Sequence, residues 1–282
     1  MRFWNIGGEG QFIMGAFWAA VAAMKLGESL PKPLMVVVMA LCGAVGGGLY
    51  GVFVAALKVK WGTNETLLTL MLNYVALYFL QFFAETKGEW NFFLDRSSAR
   101  PRFAKFPESA QMVTIPIGPF NLNLSLVAAL VLCVILFVYL NYTKRGYEIA
   151  VVGDSPNTAR YAGMKVGRIV IRTIFLSAAL IGMAGALHVS SAGVMSASPT
   201  NDVGWTGVVV AWLAKLNTVG IVLASLLITV LQYGCQTAST IYPSIDANFA
   251  NLLQGVILFT VLAVDFFTRF KLVRRGGKEA VK

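Results

Sequence analysis

Residues able to do covalent chemistry are few and scattered in this 282-residue chain. Its three cysteines, Cys42, Cys133 and Cys235, lie far apart, are odd in number, and each sits within or at the end of an apolar stretch. That pattern fits small buried hydrophobes rather than a disulfide framework or a metal cluster. The single histidine, His188, has no Cys or His companion and reads as a hydrogen-bonding group, so no metal site is expected. No paired carboxylates, clustered histidines or activated Ser or Cys share a helical face, and no Gly-x-x-x-x-Gly-Lys-Ser/Thr phosphate loop occurs. The expectation is a protein that is not an enzyme and binds no cofactor. Glu9 and Asp202 are the acids that could serve an ion-coupling site, and both fall in expected loops or helix breaks.

The remaining chemistry is that of binding, and it concentrates in a polar island from Val152 to Lys165 between two strongly apolar stretches. Asp154 to Asn157 has the composition of a turn followed by a helix start, with Ser155 able to cap free amides and Pro156 suited to the first helical position. Thr158 to Tyr161 continues a short helix, and Gly163 is a natural stop because the residue past a helix end often needs positive φ. A helix of about two turns is not stable alone in water, so it must lie against something, and a partner protein is the expected surface.

The elements that carry this island are membrane elements. Hydrophobic residues make up 57% of the chain and charged residues 13%, with mean hydropathy +0.70; soluble proteins average about a quarter charged. The net charge of +10 does not form a nucleic-acid patch, because its distribution is that of basic residues retained in the cytoplasmic loops of a polytopic membrane protein. With the loops assigned in alternation, sixteen of the 23 Lys and Arg fall inside and seven outside. No long soluble stretch remains for a nucleotide-binding domain, so the expectation is one membrane domain over residues 1–282.

In chain order, Asn5 to Gln11 holds three glycines, an acid and two amides, which cannot face lipid unpaired. It either lines a cavity as part of a broken helix or forms a water-exposed tail capped by Glu9. Phe12 to Met24 is short for a span that needs about 20 residues, so it is a half helix or extends upstream. Met35 to Leu57 is long enough to cross, and its Gly43, Gly47 and Gly51 stack on one face that permits close backbone approach. Packing within the subunit is the expected use of that face, with a dimer seam as the alternative. Glu65 to Ala84 spans back with Thr66, Thr69 and Asn73 in one stripe, which either lines a solute route or bonds to a neighbouring helix. Residues 85–124 form an external loop with four prolines and the aromatics Trp90, Phe92, Phe93, Phe103 and Phe106. Ser125 to Thr143 spans inward to the polar island. Ile169 to Val189 spans outward with Ala178, Gly182 and Ala186 as a second small-residue face. Ser190 to Gly204 is irregular and Trp205 to Leu216 short, again a broken-helix pattern; Val219 to Gln236 and Asn248 to Phe267 complete the spans. Asp265 would pair with Arg269 at i+4, and residues 268–282 form a cytoplasmic tail. The fold class is all-α and polytopic, with about seven to eight membrane segments including broken or half helices.

The segment from Gly153 to Gly163 resembles the coupling-helix loop of bacterial ABC importer permeases of the ribose, branched-chain amino acid and nucleoside type, and is most similar to the nucleoside and purine branch. Further matches are Asn5-Ile6-Gly7-Gly8-Glu9-Gly10-Gln11, the run from Asn64 to Tyr74, and Gly204-Trp205-Thr206-Gly207 leading to Leu213-Ala214-Lys215-Leu216-Asn217. The resemblance spans nearly the whole chain. Members of that family carry further transmembrane helices before the Asn-Ile-Gly segment, so the comparison implies a chain that lacks them.

The resemblance implies a multi-pass permease subunit of the bacterial inner membrane, importing nucleosides or purine bases, with ribose or another simple sugar as the alternative solute. It implies that a separate ABC ATPase subunit hydrolyses ATP, that a solute-binding lipoprotein outside the membrane delivers the solute, and that a second, paralogous permease subunit completes the channel. Membrane lipid is the remaining partner; nucleic acid is not one. The loop 144–168 would dock the ATPase through Gly153, Asp154, Asn157, Ala159, Arg160, Tyr161 and Gly163, and Asn5, Glu9, Asn73 and Trp205 would surround the solute. Composition and periodicity alone leave a different class open, an ion-coupled secondary transporter.

Overall fold

The computed structural model describes residues 4–95, 97, 101–117, 120–242 and 248–269. The side chains of the expected Asp265–Arg269 pair, and the tail from residue 270, lie outside what is described. Ten α-helices run through the described residues: α1 Gly8–Leu26, α2 Lys32–Trp61, α3 Glu65–Glu85, α4 Leu124–Tyr142, α5 Lys144–Asp154, α6 Pro156–Tyr161, α7 Val166–Ala192, α8 Val203–Leu213, α9 Thr218–Ile241 and α10 Phe249–Arg269. Six of them, α2, α3, α4, α7, α9 and α10, are long and apolar enough to cross a membrane. With the 19-residue α1 and the 11-residue α8, the structure is an all-α polytopic membrane protein.

Local sequence sets the helix ends. Asn64, Asn123 and Asn217 cap α3, α4 and α9 by accepting backbone N–H groups of the first turn. Pro31 and Pro33 open α2, where a missing N–H costs nothing, and Gly62 closes it in the left-handed region at φ +69°. Within Asn5 to Gln11 the helix begins at Gly8, three residues before the end of the polar stretch, and the Gln11 N–H donates to the Gly7 carbonyl at 3.0 Å. Glycine weakens a helix by about 1 kcal/mol per residue relative to alanine, but here Gly10 is needed, because a Cβ on it would lie 3.2 Å from the Cα of Asn73.

The chain folds as two compact units, Met1–Trp205 and Thr206–Lys282. The first is built on α1, α2 and α7. The Gly43, Gly47 and Gly51 face of α2 lies directly on the Ala178, Gly182 and Ala186 face of α7, so the two small-residue faces pack on each other within the subunit. A Cβ on Gly47 would sit 2.7 Å from Gly182 Cα and 2.9 Å from the Gln11 carbonyl oxygen of α1. Lipid is as apolar as leucine, so this backbone-to-backbone van der Waals contact replaces the hydrophobic drive that water would supply.

The connection between α3 and α4 is more ordered than its composition suggests. Phe93, Phe103 and Phe106 are buried, and Phe17 of α1 meets Phe79, Phe83 and Phe93 at centroid distances of 5.0, 5.1 and 5.2 Å. Asn91 donates to the carbonyls of Phe83 and Thr86, and Ser190 of α7 donates to that of Ala110. Two four-residue strands, β1 Thr114–Ile117 and β2 Phe120–Asn123, form an antiparallel hairpin where the sequence suggests only loop. Asp95 accepts from Ser97 and from Arg102, which hold its carboxyl down at about 2. In the second unit, Val210, Ala224 and Ile228 form a small core between the helices.

A large side chain in the glycine seam has no room. Gly47→Leu should therefore destabilise the detergent-solubilised protein by about 1–3 kcal/mol through overpacking, read as a lower thermal unfolding midpoint. Gly207→Leu, where an added Cβ meets nothing within 4 Å, should leave the midpoint unchanged.

Candidate functional site

The seam places a polar group deep inside the first unit. Gln11 lies against Gly47 and Gly51, in the middle of the 30-residue α2, so α1 begins about half-way along its neighbour. Its free N-terminal amides need hydrogen-bond partners. Asn73 of α3 supplies them: its Oδ1 accepts the Gly10 N–H at 2.8 Å, and its Nδ2 donates to the Ile6 carbonyl at 2.8 Å. Asn5 and Gln11 pair through both amide groups at 3.0 Å, and Asn5 Oδ1 also accepts the Gly7 N–H. Thr69, one turn before Asn73, returns its hydroxyl to the Glu65 carbonyl at 2.7 Å.

Glu9 joins this group to the start of α8. It is buried, and its Oε1 accepts the backbone N–H groups of Gly204 at 2.6 Å and Trp205 at 3.3 Å. A carboxylate from one helix thus caps the positive end of another. The approach is close enough that a Cβ on Gly204 would meet the Glu9 amide nitrogen at 2.6 Å, which explains the glycine there. The structure brings Asn5, Glu9, Asn73 and Trp205 to one place. Asn5, Glu9 and Asn73 are occupied in fixing helix ends, whereas the Trp205 side chain is 40% exposed. Asp202 stands in the preceding turn at φ +63° and is exposed.

In the second unit, Thr206, Gln232 and Gln254 approach one another, with Thr206 Oγ1 3.5 Å from each amide side chain. Gln254 is buried and its Nε2 has no hydrogen-bond partner. Sequence reasoning passed over these residues; the available signal was an amide, Gln232 or Gln254, set within each of two largely apolar spans.

The other candidate surface is the turn between α4 and α7. Ser155 caps α6 by accepting the Thr158 N–H, Pro156 occupies its first turn, and Gly163 has φ +76°. Asp154 ends α5 rather than opening a turn, and Gly153 is inside that helix, so the chain turns at Ser155 and Gly163 and not at Gly153. The span α4 ends at Tyr142, just before Lys144-Arg145, and an amphipathic second helix, α5, capped by Thr143, starts at Lys144 where the sequence suggests only loop. Ala159 is wholly buried under Val152 and Ile169, and this small contact is what seats α6. Asn157 and Arg160 are exposed, and Tyr161 is 94% exposed, a large apolar ring held away from its own subunit.

Over residues 1–262 the chain matches the family described as branched-chain amino acid transport system / permease component. It is 28% identical to the nucleoside ABC transporter permease protein NupB of Lactococcus lactis, over 98% of this chain and 76% of that one. It is equally 28% identical to the guanosine ABC transporter permease protein NupP of Bacillus subtilis, over 97% and 78%, and 26% identical to the glucose ABC transporter permease protein TsgB13 of Haloferax volcanii, over 95% and 71%. No solved structure matches it significantly.

Removing the Glu9 carboxylate should free the start of α8. Because hydrogen bonds to charged groups are worth about 1.5–3 kcal/mol, Glu9→Ala should raise amide hydrogen exchange at Gly204 and Trp205 by about tenfold or more, measured by mass spectrometry. The amides of α2 should keep their protection.

Proposed function

The chain belongs to the family of branched-chain amino acid transport system permease components, and from that premise we propose that it is the subunit that carries nucleosides or purine bases across the bacterial inner membrane in an ATP-driven importer. The observation that carries this reading is the meeting of two helix N-termini, of α1 and α8, beside an exposed tryptophan at the depth where α2 has its midpoint. Transporters place solutes beside discontinuous helices of this kind. The nucleoside and guanosine permeases among the relatives favour a nucleobase over a sugar; the glucose permease makes a simple sugar the second reading.

In this reading Trp205 stacks on the base, a contact worth about 1 kcal/mol beyond area burial. Asn5, Glu9 and Asn73 hold the two helix ends in place around it. A weak site suffices, because a separate solute-binding protein supplies affinity and the permease must release what it takes. Residues 85–124 face that binding protein. A second permease subunit, of related sequence, covers part of the apolar surface, which includes the whole of α4, a helix with no buried residue. The ion-coupled alternative loses ground because Glu9 is engaged by backbone amides and Asp202 is exposed in a turn.

The ATPase grips α6. Tyr161 and Arg160 enter the partner, Asn157 and Asp154 flank them, and Ala159 and Gly163 fix the pose of the helix. Motion of the ATPase then reaches the membrane helices through Ile169, the α7 residue on which Ala159 sits.

The tests are made on the assembled transporter in proteoliposomes. Tyr161→Ala removes a ring that packs on nothing in its own subunit, so the unfolding midpoint should stay unchanged while solute-stimulated ATP hydrolysis falls about tenfold or more, the usual scale for a central interface aromatic. Full stimulation in that variant rejects α6 as the coupling element. Trp205→Ala should lower uptake of radiolabelled guanosine while basal ATP hydrolysis persists, and stronger competition by ribose than by adenosine would reassign the solute to sugars.

A further inference from the structure

Between α5, α6 and the first turns of α7 lies an open cleft of about 750 Å³. Lys144, Lys165, Arg168 and Arg172 line it, with Glu148 as its carboxylate. Glu148 accepts from Arg172 Nη2 at 2.8 Å, yet the Nε of the same guanidinium is buried without a hydrogen-bond partner. Lys144, Lys165 and Arg168 have no ion-pair partner among the described residues, and all three are exposed. A buried N–H left unpaired costs about 1–3 kcal/mol, and converging cations repel, so the cleft is arranged for an anion. A group with several oxygens, able to meet donors from different sides at once, suits it better than a single carboxylate.

The surroundings say where that anion comes from. Lys144 follows directly on α4, whose 19 residues are apolar along their length and none buried, and Arg168 and Arg172 stand in the first turns of the membrane-spanning α7. Tyr147, 64% exposed, lines the cleft, and Tyr142, 76% exposed, ends α4 two residues before Lys144; aromatic residues of this kind mark membrane–water boundaries. The cleft is therefore basic, and the apolar α4, which packs against α5 and α7, leads into it through Lys144. We propose that it seats the headgroup phosphate of an anionic phospholipid whose acyl chains lie along α4. Basic pockets between spanning helices take such headgroups, and an occupant here would brace the joint between α4, α5 and α7 independently of whatever solute the protein carries.

The test uses the full chain purified in detergent and returned to nanodiscs of phosphatidylcholine with graded phosphatidylglycerol. Binding is read as the rise in unfolding temperature and as retained lipid by native mass spectrometry. The double variant Lys144→Gln/Arg168→Gln keeps the Arg172–Glu148 pair; at roughly fivefold per removed charge, it should need about twenty-fivefold more phosphatidylglycerol for the same stabilisation. Lys165→Gln, at an exposed position, should need about fivefold more if the double variant does not fold. Equal phosphatidylglycerol dependence in wild type and variants overturns the proposal. So does displacement of the lipid by millimolar inorganic phosphate, which would assign the cleft to a free anion, or its loss when the ATPase subunit binds, which would assign it to protein.

Discussion

Backbone packing between α2 and α7 is the constraint from which the rest of the first unit follows. Two helices can approach this closely only where glycine and alanine line both faces, and Gly43, Gly47 and Gly51 against Ala178, Gly182 and Ala186 provide such a seam. Gly15 and Gly185 admit α1 to the same contact. Once α1 is wedged there, its first turn lies level with the middle of α2, and everything polar in that turn must be satisfied within the protein. The amide pair of Asn5 and Gln11, the double bond of Asn73 to Gly10 and Ile6, and the bridge of Glu9 to α8 are consequences of that depth.

Polar residues in a hydrocarbon setting are costly, and this explains why Asn5, Glu9 and Asn73 are so fully engaged with backbone groups and, for Asn5, with Gln11. Asn73 spends its carbonyl and one N–H on α1, so it cannot be traded for an apolar residue without orphaning a backbone donor. Glu9 brings a carboxylate to the amides of Gly204 and Trp205, where the partial positive charge of a helix end offsets its burial. Neither needs a solute to be stable. The polar knot is therefore a fixed frame, and the group left exposed beside it is the Trp205 ring.

Much of this was legible in the sequence, and the parts that were not have physical reasons. The small-residue faces were visible as four-residue spacing, and the short α6 as Ser155, Pro156 and Gly163, because each depends on a few residues close in the chain. Convergence of Glu9 with Gly204 was not, since a contact between residues 195 positions apart leaves no local pattern. Gly8, Glu9 and Gly10 are poor helix formers by composition, yet they form the first turn of α1, because tertiary packing outweighs a propensity cost of about 1 kcal/mol per glycine. The β-hairpin escaped notice because four-residue strands with Pro116 inside give too little alternation to recognise. The extension of α5 through Gly153 was hidden by the polar composition of a helix that lies outside the apolar spans.

α7 connects these features. Its 27 residues run about 40 Å at ~1.5 Å per residue, carry Ile169 beneath α6 at one end, and hold Ala110 and Met112 through Ser190 at the other. Midway it presents Gly182 to both α1 and α2. A close-packed backbone seam has little compliance, since no side chain stands between the helices to change rotamer and absorb a displacement. α7 therefore packs as a rod against α1, whose first turn reaches the start of α8. That turn holds Glu9, and Glu9 holds the amides of Gly204 and Trp205. The seam that fixes the fold thus lies, through direct packing and hydrogen bonds, between α6, which carries the exposed Tyr161, and the turn that bonds the amide of Trp205.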